Sequence, residues 1–249
     1  MYADGWLLKN MELAAKQVRK DHDMVFVGDG PEGAGKSVMM MQVAYMLDPT
    51  FNIDRVCFTA EEFMRAVKNA EKYQAILFDE AFRGLSSRQS LSPLMEALIK
   101  MFAEIRQKNL FILVVMPCFF ELTKYIAMWR SRALIHVYLR RGERGSFAFY
   151  GPRAKRRLYI YGKKDYNYGK AYPSFRGTFP HFYVIDEAGY RKKKFKAFQA
   201  SIGESIELEE SRKNYLRMYK TQYARAAAAK KKQQELEAKV KILEGGKKK

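Results

Sequence analysis

A chain of 249 residues that is 48% apolar can build one or two domains around a sizeable core. Its 46 Lys and Arg outweigh 27 Asp and Glu, giving a formal charge of +19, and its 14% aromatic content excludes a disordered polyelectrolyte. The longest near-continuous apolar run, Leu110 to Phe120, is too short to span a bilayer, and Cys57 and Cys118 cannot supply a disulfide framework or a cysteine zinc site.

The N-terminal residues lack the charged start, apolar stretch and cleavage site of a secretory leader, so the cytoplasm is the expected compartment. Residues 6–19 read as a leading helix. Met24-Val25-Phe26-Val27 is a β-prone run ending at Gly28, and 36–47 reads as a helix. Val56-Cys57-Phe58 predicts a second strand. Thr59 with Glu62 forms a capping box that opens a helix to about Asn69. Ala75 to Phe78 is a third strand, stopped by Asp79-Glu80, and Ser92-Pro93 starts a helix whose apolar stripe includes Leu94, Leu98 and Phe102. Strands follow at 110–115 and 133–139, with 118–129 between them expected to be helical. Alternating strands and helices with near-continuous apolar strands predict a parallel sheet covered on both faces.

After residue 140 the pattern changes. β-rich runs are expected at 146–150 and 157–161, a loop-like stretch at 162–185, and a long helix from about 203. The resulting organisation is an α/β core at 1–140, a basic, aromatic, β-rich extension at 141–185 and a basic helical tail at 186–249. Charge follows these lines: net −1 over 1–128, +11 over 129–180 and +9 over 181–249. Fifteen of the 35 aromatic residues lie between Trp129 and Tyr190. Tyr159, Tyr161, Tyr166, Tyr168 and Tyr172 interleave with Arg156, Arg157, Lys163, Lys164 and Lys170. Cations with aromatic faces suit a polyanion, while the same residues could simply solvate a surface and fill a small core.

The decisive motif lies between the first strand and the second helix. Gly28-Asp29-Gly30-Pro31-Glu32-Gly33-Ala34-Gly35-Lys36-Ser37 contains GxxxxGK[ST], starting at Gly30. Glycines let the backbone wrap phosphate oxygens, the helix adds its positive end, Lys36 reaches the β- and γ-phosphates, and Ser37 ligates Mg²⁺. The expected nucleotide-binding residues are therefore Gly30, Pro31, Glu32, Gly33, Ala34, Gly35, Lys36, Ser37 and Val38. Asp79, at the end of the third strand, completes the metal site with Ser37, and Glu80 is the expected general base. An additional strand between the two motif strands fits the class of ATPases that inserts one there. The expected cofactors are ATP and Mg²⁺.

Other signals are softer. The fourth strand ends in Val115-Met116-Pro117-Cys118, with no amide or hydroxyl to sense the γ-phosphate. Arg83, Arg88, Arg106, Arg130 and Arg132 are candidate arginine fingers, and Arg130 with Arg132 is the preferred pair. His22, His136 and His181 have no metal spacing, and His136 reads as a satisfied core histidine.

The loop at 28–37, Asp79-Glu80, Pro117 and Arg130-Ser131-Arg132 together resemble the zonular occludens toxin family, a branch of the FtsK/HerA group of nucleic-acid motors from phages and mobile elements. The likeness covers about residues 20–200. It implies a RecA-like P-loop NTPase core, ATP hydrolysis, and homo-oligomerisation into a ring, a hexamer being one form. It also implies movement, packaging or remodelling of viral or mobile-element DNA, in the host cytoplasm if the source is viral. Members from filamentous phages carry a membrane-spanning segment after the ATPase, and no such segment is found in this sequence. Two alternatives stand beside this reading. One is a replication initiator or helicase-loader ATPase. The other is an assembly protein that binds nucleic acid or a membrane surface and carries a regulatory nucleotide site.

Overall fold

The computed structural model describes residues 3–79, 93–200 and 203. Seven strands form one sheet: β1 (Met24–Asp29), β2 (Val56–Cys57), β3 (Ala75–Phe78), β4 (Phe111–Val115), β5 (Ala133–Arg140), β6 (Glu143–Tyr150) and β7 (Phe175–Thr178). Their order is β2-β3-β4-β1-β5-β6-β7. The five strands from β2 to β5 are parallel, and β6 and β7 continue the sheet antiparallel. Every residue of β1, β3 and β4 is buried, which is why these strands read as apolar runs without alternation.

The helices are α1 (Gly5–Val18), α2 (Lys36–Leu47), α3 (Ala60–Asn69), α4 (Pro93–Glu104) and α5 (Pro152–Gly162), with a further helix, α6, over 187–200. Asp4 caps α1 by accepting from the Trp6 and Leu7 amides, and Leu7, Met11, Ala14 and Val18 form its buried stripe. α2 is apolar nearly all round, with Val38 to Val43 buried, as a helix enclosed by its own domain must be. At α3, Thr59 Oγ1 accepts from the Glu62 amide at 3.1 Å, while the Glu62 carboxylate takes the Phe58 amide at 2.9 Å. The expected cap is present, shifted by one residue on its return bond. Asp48, just after α2, accepts from the Ala75 amide at 2.9 Å and so fixes the helix end to the start of β3.

Several expectations change. The strand inserted between the two motif strands is β4, not β2, which sits at the sheet edge. Residues 157–161 are helical. The run Leu158-Tyr159-Ile160-Tyr161 reads as β, but Pro152 at the first turn starts α5, and its buried positions 155, 158, 159 and 162 have helical spacing. Residues 118–129 split into a 3₁₀ turn, Phe119–Glu121, and a π-helix, Tyr125–Arg130. β7 lies inside the stretch expected to be loop, and the last helix begins at 187 rather than about 203. The sheet crosses the expected boundary at 140 without a break, and a first compact unit spans Met1–Lys194. The second unit is Phe195–Lys249, of which residues 195–200 are helical. The remainder of the predicted tail helix, apart from Gly203, lies outside the described residues. No helix among the described residues is long and apolar enough to cross a membrane.

Candidate nucleotide site

The parallel strands deliver the chemistry to one edge of the sheet. β1 lies between β4 and β5, so the chain order reverses there, and a crevice opens at the carboxyl ends of strands at such a point. The loop after β1 and Asp79 after β3 both reach it. Gly30 has a φ of +139°, and a Cβ there would lie 1.9 Å from the Val137 carbonyl oxygen, so no other residue fits. Gly35, at φ +97°, precedes α2 with no side-chain cap, and the first turn of α2 carries no acidic residue. The positive end of α2 is thus open to an anion.

Lys36 folds back over this loop, its Nζ donating to the Gly30 carbonyl at 2.8 Å and the Pro31 carbonyl at 2.9 Å. Burial lowers its pKa, against the pull of Asp29, Glu32 and Asp79. Ser37 Oγ donates to Asp79 Oδ1 at 3.0 Å. Asp79 Oδ2 accepts from the Tyr190 hydroxyl at 2.5 Å and lies 3.5 Å from Lys194 Nζ. A serine hydroxyl beside a carboxylate is a hard-oxygen pair suited to Mg²⁺, which binds few protein groups and takes water and phosphate for the rest. No group of three or more His, Cys, Asp or Glu among the described residues could hold a metal without such help. The fold is that of a P-loop NTPase.

Among solved structures, the chain is similar to the N-terminal domain of zonular occludens toxin from Neisseria meningitidis. The identity is 15%, over 68% of this chain and 98% of that chain, with a TM-score of 0.45. It is also similar to the genome packaging NTPase of Sulfolobus turreted icosahedral virus 2 in complex with AMPPCP. There the identity is 14%, over 53% of this chain and 94% of that chain, with a TM-score of 0.37. No protein-family model matches the chain, and no curated protein does.

The structure gathers Gly30 to Val38 with Asp79, while Glu80, Arg83 and Arg88 lie outside the described residues, as does the Arg106 side chain. Arg130 is turned inward. Its Nε donates to the Phe102 carbonyl at 2.6 Å, it pairs with Asp23, and its side chain is 13% exposed. A guanidinium committed to a buried ion pair cannot reach a neighbouring copy, so the expected finger pair narrows to the half-buried Arg132.

Sequence reasoning missed a buried network behind the loop. Asp29 is fully buried at the end of β1, where it accepts from the Phe119 amide at 2.9 Å and from the Tyr168 hydroxyl. His136 Nδ1 meets the other carboxylate oxygen at 2.9 Å, and its ring stacks on Tyr168 with centroids 3.9 Å apart. Burial and the Asp29 carboxylate push the Tyr168 phenol far above its ordinary range. His136 is therefore satisfied, as expected, but by the residue that leads into the phosphate loop. A second missed element is 179–183. Gln42 of α2 donates to the Pro180 and Phe182 carbonyls at 2.7 and 3.0 Å, laying the Phe179 ring beside Gly35. Arg144 and His181, 3.4 Å apart, flank the glycine end of the loop. Only their distance in sequence hid them.

The basic, aromatic region divides. Tyr159 and Tyr168 face the interior, Tyr159 donating to the Leu122 carbonyl at 3.1 Å. Tyr161, Tyr166 and Tyr172 are 62%, 50% and 92% exposed, so only part of this aromatic set fills the interior. Arg153, Arg156, Arg157 and Lys164 are exposed on and just after α5, and the Arg156 guanidinium lies 4.7 Å over the exposed Trp129 ring.

Proposed function

We propose that this chain binds ATP with Mg²⁺, hydrolyses it, and couples hydrolysis to the movement, packaging or remodelling of DNA. The observation that carries the reading is the 3.0 Å contact between Ser37 and Asp79, at the mouth of a glycine loop closed by Lys36. In this reading the loop amides and Lys36 bind the phosphates, and Ser37 with Asp79 holds the metal. Bound there, Mg²⁺ would neutralise charge on the β- and γ-phosphates. Glu80, next to Asp79 in sequence, polarises the attacking water. Arg132 reaches the nucleotide of a neighbouring copy, which makes the active form a homo-oligomer.

The DNA assignment is supported by the exposed cations of α5 beside Trp129 and Tyr161, since arginine and lysine contact phosphates and open aromatic faces stack on unpaired bases. The test is the ATP turnover rate at low salt, measured alone, with single-stranded DNA and with duplex DNA. Stimulation by either nucleic acid supports the reading. Turnover indifferent to both removes the DNA assignment, and no turnover under any condition removes the enzyme.

A further inference from the structure

Asp79 must offer its carboxylate to a metal for the proposed chemistry, yet both of its oxygens are engaged. Ser37 holds one, and Tyr190 and Lys194 hold the other. Tyr190 and Lys194 lie four residues apart on α6, so one face of the helix brings a hydroxyl and an ammonium to the same oxygen. The helix is anchored at this place. Asp186 caps its start through the Ala188 and Gly189 amides at 3.0 and 2.9 Å, and Lys193 Nζ donates to the Val56 carbonyl at 2.5 Å. The Tyr190 ring packs on Phe58 with centroids 5.7 Å apart.

The Asp79 side chain is 1% exposed, and a carboxylate that deep is costly without a compensating cation. The Lys194 ammonium at 3.5 Å supplies one, and its side chain, 35% exposed, has solvent to retreat into. A divalent ion on Asp79 would supply the same compensation with more charge and would repel the ammonium.

We propose that Lys194 is an internal counter-ion of Asp79 that arriving Mg²⁺ and nucleotide displace, so that α6 reports whether the site is loaded. The inference rests on the nucleotide-site reading above. Lys194 acts here as a positioning residue: it raises the Mg²⁺ concentration needed for nucleotide binding and links site filling to the helix.

The experiment titrates Mg²⁺ against AMPPCP binding, followed by calorimetry, for the full chain and its variants. In Lys194→Gln the half-saturating Mg²⁺ concentration should fall by about three- to fivefold, the scale of a partly exposed ion pair. Lys194→Arg, which keeps the charge, should retain the wild-type requirement. An unchanged or higher requirement in Lys194→Gln overturns the inference, as does an Arg variant that falls equally. Should the Gln variant not fold, Tyr190→Phe frees the same oxygen while keeping the ring on Phe58. It should move the requirement in the same direction, and no movement counts against the proposal. Wild-type protein that binds no AMPPCP at any Mg²⁺ concentration defeats the nucleotide-site reading and this inference with it. A failure confined to the variants leaves that reading standing.

Discussion

Ser37 and Asp79, 42 positions apart, meet at 3.0 Å because β1 and β3 lie on either side of β4 and end at the same edge of the sheet. The glycine loop then needs only to turn once to place Lys36 over the same crevice. The site is a product of strand order, and its residues can be separated by mutation.

Lys36→Ala should abolish tight ATP binding, because the loop motif loses its cation. Asp79→Asn should retain nucleotide binding but lose much of its Mg²⁺ dependence. Glu80→Gln should bind Mg²⁺ and ATP normally and turn over at least about 10²-fold more slowly, the usual scale of a general base. Binding isotherms with and without Mg²⁺, beside steady-state rates, separate the three. A Glu80→Gln protein with normal turnover would remove the base assignment.

The two arginines before β5 should behave oppositely. Arg130→Ala strands Asp23 in a buried position and should cost about 3–5 kcal/mol of stability, read by urea unfolding. Arg132→Ala should leave the unfolding midpoint in place and lower turnover by about 10³ or more, with ATP binding intact. Mixing Arg132→Ala with Lys36→Ala subunits should restore some activity. Absence of rescue in subunits shown to exchange would place Arg132 outside the neighbouring site.

Lys155 gives a pH signature. It is fully buried on α5, donating to Ser131 Oγ at 2.9 Å and to the Ala127 carbonyl at the end of the π-helix. Burial, with Arg156 and Arg132 nearby, lowers its pKa from 10.5 to about 7. Between these two values the unfolded chain binds more protons than the folded one, so this group makes stability rise with pH across that window. Below about pH 7 both states are protonated and the slope vanishes. Melting temperatures from pH 6 to about 10 should show this rise in the wild type and a flatter profile in Lys155→Met.

Nucleic-acid affinity should fall steeply with salt, by a log–log slope of about −0.7 to −0.9 for each phosphate neutralised. Changing the exposed Arg153, Arg157 and Lys164 together to Gln should flatten that slope by up to about three. DNA-independent ATP turnover should survive, since none of the three belongs to the proposed phosphate or metal machinery. An unchanged slope in a folded triple variant would move the binding surface to the cations of the tail.

What could be read from the sequence was local. Gly30, Gly33 and Gly35 before Lys36 announce the loop through backbone conformations that other residues adopt poorly, and Asp79 follows an apolar strand directly. The α5 region misled because alternating Leu, Tyr and Ile fit either period, and the residue that settles it, Lys155, is a lysine on the buried face. Tyr168 on Asp29, and Tyr190 and Lys194 on Asp79, span 139, 111 and 115 positions. No local pattern encodes such pairs. The π-helix likewise depends on α5, whose Lys155 and Arg156 hold the Ala127 and Met128 carbonyls at its end.

The two margins of the sheet are poor templates for a further strand. β2 is two residues long, and the Val56 carbonyl is already occupied by Lys193. β7 has four residues, with Arg176 and Thr178 turned to solvent. Edges this short resist backbone pairing with another chain, and at β7 the exposed Arg176 adds a charge. Among the described residues, contacts between copies at either margin of this sheet would therefore run through side chains rather than through a shared strand ladder.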